Sequence, residues 1–124
     1  MFLKIGLDIH GCIDKYPHLF ERLSADWVRM GNEVHIITGN MKTPEIVKQL
    51  AEWKISYTHF YSVSDDLLAK GKATHWTSPN DPWFHADDWN PAKAKYCRDN
   101  QIDIHYDDSD EYGKHFTTPF VKVF

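Results

Sequence analysis

Asp8, Thr38 and the pair Asp107-Asp108 lie far apart in the chain, yet each follows a short apolar run that reads as a β-strand. In an open parallel sheet, ligands bind beyond the carboxyl ends of the strands, where the strand order reverses. Carboxylates converging there repel one another unless a cation sits among them. An oxygen-only donor set of carboxylates, backbone carbonyl and water suits Mg²⁺. The residue types therefore point first to a hard-cation centre at a strand-end crevice.

The elements that must position these groups alternate extended and helical patterns, as in a parallel α/β sheet. Phe2 to Ile9 reads as a buried strand ended by Asp8. Pro17 to Met30 repeats apolar residues at helical spacing, with Leu19, Leu23 and Trp27 on one line and Phe20 and Val28 beside them; Gly31-Asn32 stops the helix. Val34 to Ile37 is a second strand running into Thr38-Gly39-Asn40. Thr43-Pro44-Glu45 opens a capped helix whose buried face is Ile46, Val47, Leu50 and Ala51. Tyr57 to Val63 is a third strand, and Ser64 caps a short helix through Lys70. Asn90-Pro91 opens a helix to about Asn100, Ile102 to Tyr106 is the fourth strand and Pro119 to Phe124 the fifth. Residues 71–90 interleave turn formers with Trp76, Trp83, Phe84 and Trp89 and read as an irregular excursion. The expected architecture is a three-layer, Rossmann-like open parallel sheet in one domain over 1–124, with strand order 5-4-1-2-3. That order places the crevice between Asp8 and Asp107-Asp108.

Composition narrows the partners. With 14 Lys and Arg against 18 Asp and Glu, the formal charge is −4, and a nucleic-acid binder would usually carry a basic excess. No run approaches the roughly 18–20 apolar residues that span a bilayer. The start, Met1-Phe2-Leu3-Lys4, lacks the charged head and cleavage site of a signal peptide. Cys12 and Cys97 are too few for a disulfide framework. These features predict a soluble, cytoplasmic protein.

Four ordered segments carry a resemblance. Asp8-Ile9-His10-Gly11-Cys12-Ile13-Asp14, Ile36-Ile37-Thr38-Gly39, Lys93 and Asp107-Asp108-Ser109 resemble the motifs of the haloacid dehalogenase superfamily of phosphohydrolases. The stretch from Lys93 to Asp107 carries one helix and one strand, as the resemblance requires. It implies a capless or minimally capped Mg²⁺-dependent phosphatase, with a small phosphorylated metabolite or nucleoside monophosphate as substrate. Asp8 would be the nucleophile and form an aspartyl-phosphate. Mg²⁺ would be held by Asp8, the backbone carbonyl of His10 and Asp108, with Asp107 as second ligand or outer partner. Thr38, the Gly39 N–H and Lys93 would hold the phosphoryl oxygens.

One position departs from the family pattern. Family phosphatases carry a second Asp two residues after the nucleophile as general acid and base, and this chain has His10. Imidazole can protonate a leaving alkoxide and then activate water. The Trp-rich excursion falls where one class of family cap is inserted, so Trp76, Trp83 and Trp89 are specificity candidates; Asn40, directly after the second motif, is another. The competing expectation is a catalytically impaired domain that binds a phosphorylated ligand or a protein partner.

Overall fold

The computed structural model describes residues 2–124. Along the chain come β1 (Lys4–Leu7), a wide turn (Ile9–Ile13), α1 (Pro17–Arg29), β2 (Glu33–Thr38), α2 (Pro44–Glu52), β3 (His59–Ser62) and α3 (Val63–Ala69). Two further strands follow, β4 (Ala73–Ser78) and β5 (Asp81–Phe84), then a single turn α4 (Ala86–Trp89) and α5 (Ala92–Asp99). The chain closes with β6 (Ile104–Asp107), a turn α6 (Asp110–Gly113) and β7 (Phe120–Lys122).

Five strands form one all-parallel sheet in the order β3-β2-β1-β6-β7. The five segments expected from sequence occupy their expected places; the numbering shifts because β4 and β5 intervene. Strands covered on both faces need continuous burial, and from Val34 to Thr38 every residue of β2 is buried. Ile5, Leu7, Val34 and Ile36 pack on one face against Phe20 of α1 and Leu50 of α2. Ile37 on the other face packs against Cys97, with Tyr96 beside it, so α5 lies there. Both cysteines are free and buried.

Local chemistry sets the helix starts. Thr43 Oγ1 accepts the Ile46 N–H at 3.3 Å, and Pro44 stands in the first turn where its missing N–H costs nothing. The next helix is capped by Ser62, which accepts the Asp65 N–H, and not by Ser64, whose hydroxyl donates to the Gly39 carbonyl at 2.6 Å. Two expected core positions are also corrected. Leu19 is exposed while Phe20 is the anchor of α1, and Ala51 lies on the wet side of α2.

The largest correction concerns 71–90. Residues 73–84 form an antiparallel β4–β5 hairpin with register irregularities, and 86–89 make a helical turn. The ribbon escaped the periodicity test because much of both faces meets water; β4 has no buried position, and Trp76 and Trp83 are about half exposed. Without a dry face there is no apolar–polar alternation to read. Among the described residues no helix is long and apolar enough to cross a membrane.

Candidate active site

The turn after β1 builds the first wall of the crevice. The Asp8 N–H still bonds the Tyr106 carbonyl of β6 at 3.0 Å, which fixes where the side chain leaves the sheet. Gly11 then adopts φ +78°, a conformation costly for other residues. A Cβ on Gly11 would also collide with the Asp108 carboxylate, so this glycine lets Asp108 lie directly on the turn. Asp14 closes the turn by accepting the Gly11 N–H at 2.8 Å and His10 Nδ1–H at 3.2 Å.

Lys93, in the first turn of α5, reaches into this wall almost wholly buried. Its ammonium donates to Asp8 Oδ1 at 3.0 Å and Asp107 Oδ2 at 2.8 Å. Lys95, the other lysine of that turn, instead pairs with Asp99 on the surface. Asp107 also accepts from His105 Nε2 at 3.0 Å and from the Ser109 N–H at 3.2 Å. Ligand oxygens of Asp8, Asp107 and Asp108 lie within 4.8 Å of one another. Three carboxylates against one ammonium leave a surplus of negative charge.

The electrostatics follow from burial. Burial pushes Asp8 up to about 7, against the pull of Lys93 and with Asp107 and Asp108 adding to the rise. Burial also opposes ionisation of Asp107, but the His105 hydrogen bond and the Lys93 charge prevail and hold it below the usual carboxylate range. For Lys93 the desolvation cost is outweighed by Asp8 and Asp107, so it stays charged. His105, fully enclosed, is pushed down by burial and remains a neutral donor to Asp107.

The opposite wall is the end of β2. Thr38 is buried and its Oγ1 accepts the Asn40 N–H at 3.2 Å, which leaves the hydroxyl proton free to donate. Asn40 Nδ2 donates to His10 Nε2 at 2.9 Å, linking the two walls. Trp89 packs so closely on Gly39 that a Cβ there would lie 2.7 Å from its ring. Its indole N–H donates to the Tyr112 hydroxyl at 2.7 Å, and the Tyr112 ring lies 4.9 Å from Lys93 Nζ. Together these residues line a crevice of about 290 Å³.

Asp8, His10, Thr38, Gly39, Asn40, Trp89, Lys93 and Asp108 all border this crevice, and Asp107 lies beneath it. Trp83 stands apart, in an adjoining apolar cleft that it shares with Phe84 and Trp89. Trp76 lines neither space. Sequence reasoning missed Asp14, Tyr112 and His105. Strand periodicity would have placed His105 and Asp107 on one face; nothing in the pattern pointed to Tyr112.

Comparisons of the chain with protein-family models, curated proteins and solved structures give no significant match. Fold and site together thus define the protein by geometry: an open parallel α/β sheet with a carboxylate–lysine crevice beyond its strand ends.

Proposed function

We propose that this chain is a Mg²⁺-dependent phosphomonoester hydrolase acting through an aspartyl-phosphate on Asp8. The observation that carries the reading is the gathering of Asp8, Asp107 and Asp108 within 4.8 Å, with Lys93 bridging two of them. The surplus negative charge and the all-oxygen donor set fit a divalent hard cation. Asp8 and Asp108 would hold it with the His10 backbone carbonyl. Asp107, already accepting from Lys93, His105 and Ser109, takes the supporting part. An ion held by these residues would neutralise charge between carboxylate and phosphate.

Thr38 Oγ, the Gly39 N–H and Lys93 Nζ orient the phosphoryl oxygens, and positioning with electrostatics supplies most of the barrier reduction in such transfers. An Asp8 oxygen attacks phosphorus as the ester P–O bond breaks, and His10, with a proton on both ring nitrogens once Asn40 has turned away, gives the Nε2 proton to the departing alkoxide. Water then attacks phosphorus, the Asp8–phosphorus bond breaks, and His10 takes the water proton. Asp14 holds Nδ1–H throughout, and Asn40 must yield Nε2 to the substrate. Trp89 closes the crevice on the side of Gly39. A small phosphorylated metabolite or a nucleoside monophosphate fits its size, and the apolar cleft beside Trp83 suits the organic part.

The test is hydrolysis of an activated aryl phosphate with and without Mg²⁺, with Asp8→Asn as control. Metal-dependent turnover above that control is expected. Phosphate binding without such turnover would leave a ligand-binding domain in place of an enzyme, a reading favoured by the bond that occupies His10 Nε2.

A further inference from the structure

At the other end of the sheet, β2 and β3 bring together a second set of ligand-grade side chains. His35 and His59 are register partners on adjacent parallel strands. Glu33, two residues before His35, shares its face. Glu33 Oε1 lies 2.8 Å from His35 Nε2 and 3.8 Å from His59 Nδ1. One ligand atom from each of the three lies within 4.8 Å of the others. Ligand atoms on tetrahedral zinc, with bonds of about 2.0–2.1 Å, stand roughly 3.3 Å apart, and the two measured separations bracket that spacing.

We propose that Glu33, His35 and His59 form a transition-metal site of the zinc type, independent of the carboxylate crevice. Two imidazoles and one carboxylate favour Zn²⁺ and its neighbours over Mg²⁺ or Ca²⁺. The protonation states suit ligation. Burial pushes His35 down, keeping it neutral, and the hydrogen bond from His35 holds Glu33 below its ordinary value, keeping it ionised. A Glu–His hydrogen bond alone would account for His35. His59 adds a second imidazole nitrogen 3.8 Å from the same carboxylate; its ring lies parallel to that of its register partner His35 at 4.1 Å and must turn before both lone pairs can meet on one ion.

The surroundings supply what a metal-binding histidine needs on its other nitrogen. His35 Nδ1 lies 2.7 Å from the Tyr96 hydroxyl. Without metal, Nε2–H donates to Glu33 and Nδ1 accepts from Tyr96. On binding, the ring changes tautomer so that Nδ1–H donates to the Tyr96 oxygen, whose own proton turns away, and Nε2 is released to the ion. His59 Nδ1–H now donates to Thr58 Oγ1, whose own proton goes to the Val34 carbonyl. Being half exposed, His59 can tilt out of the stack and carry its proton on Nε2 into solvent. The exposed side of Glu33 and His59 leaves room for water as fourth ligand. Since β3 is the edge of the sheet, the ion would clip that edge strand to β2.

The experiment titrates the metal-free full chain with Zn²⁺, and with Co²⁺, whose visible absorption distinguishes tetrahedral coordination from octahedral. Saturating Mg²⁺ is present to mask the carboxylate crevice. One equivalent bound tetrahedrally is expected. His59→Ala, a surface change that leaves aryl-phosphate turnover as it is, should weaken binding by at least about tenfold. Glu33→Gln should do the same. Zn²⁺ should raise the melting temperature of the wild type and not of His59→Ala. Equal affinities in wild type and both variants, or a purely octahedral Co²⁺ spectrum, would overturn the site.

Discussion

The carboxyl end of the sheet buries Asp8, Asp107 and Lys93 against one another with Asp108 at the rim, whereas the amino end surrounds one buried imidazole with a carboxylate, a tyrosine hydroxyl and a second ring. Both clusters are ligand-grade, but their electrostatics differ. At the carboxyl end like charges crowd together, and Asp8 is pushed up to about 7 by burial and its acidic neighbours despite Lys93. At the amino end hydrogen-bonding needs are met, and His35 rests neutral. A group held away from its preferred charge state responds when an ion or a phosphate arrives, and this is where chemistry is expected. A satisfied cluster can bind an ion but has little tension to release.

Asp8→Asn breaks that comparison most sharply. It removes the nucleophile and should lower aryl-phosphate turnover by at least about a thousandfold, measured as steady-state hydrolysis with Mg²⁺ present. Lys93→Met is the counterpart in stability. It leaves two buried carboxylates facing each other without their shared ammonium and should cost about 3–5 kcal/mol in denaturant unfolding. Lys95→Met, which removes only the surface pair with Asp99, should change stability by less than about 1 kcal/mol. Equal losses in the two lysine variants would mean that the buried cluster is not under the tension described.

The two ends should also respond to pH with opposite sign. Asp8 binds its proton more tightly folded than unfolded, at about 7 against 3.8. Its contribution is therefore full below the unfolded value and lost as pH rises through about 7. His35 is shifted downward from 6.5 by burial, so the folded state binds its proton less tightly than the unfolded chain. Its contribution is present above 6.5 and lost as pH falls. In metal-free protein, Asp8→Asn should thus raise the melting temperature more at about pH 8 than at about pH 5. His35→Gln should flatten the loss of stability on the acid side. A pH-independent Asp8→Asn effect would count against the raised Asp8.

Much of this arrangement was legible in the residues because parallel strands announce themselves as apolar runs and their ends as polar punctuation. Asp8, Thr38 and Asp107 stand at such ends, and the spacing of one helix and one strand before Asp107 singled out Lys93. What escaped was whatever depends on side-chain reach. His10 and Asp14 meet through a turn that only the φ of Gly11 explains. Tyr112 enters the crevice from a helical turn with no periodic signature. The β4–β5 ribbon was invisible for a related reason, since strand patterns are read from the dry face it lacks. Leu19 and Ala51 failed the other way: apolar character suggested burial, but helix orientation against the sheet left them in water.

The smallest effects should come from the aromatic residues, and they separate the crevice from its apolar neighbour. Trp89 touches Gly39 and holds Tyr112 beside Lys93, so Trp89→Phe loses a hydrogen bond within the wall that positions the phosphate. A fall in kcat is expected. Trp83 stacks on His75 at 5.8 Å and donates to Thr77 within its own hairpin, touching neither Asp8 nor Lys93. Trp83→Ala should leave kcat alone and raise KM by less than about tenfold for an ester with an apolar leaving group, as expected for one aromatic contact worth about 0.5–1.5 kcal/mol. Trp76→Ala, half exposed like Trp83 but lining neither the crevice nor the cleft, is the matched control and should change neither parameter. If Trp83→Ala lowered kcat as Trp89→Phe does, the cleft and the crevice would act as one site, and the hairpin would belong to the catalytic wall itself.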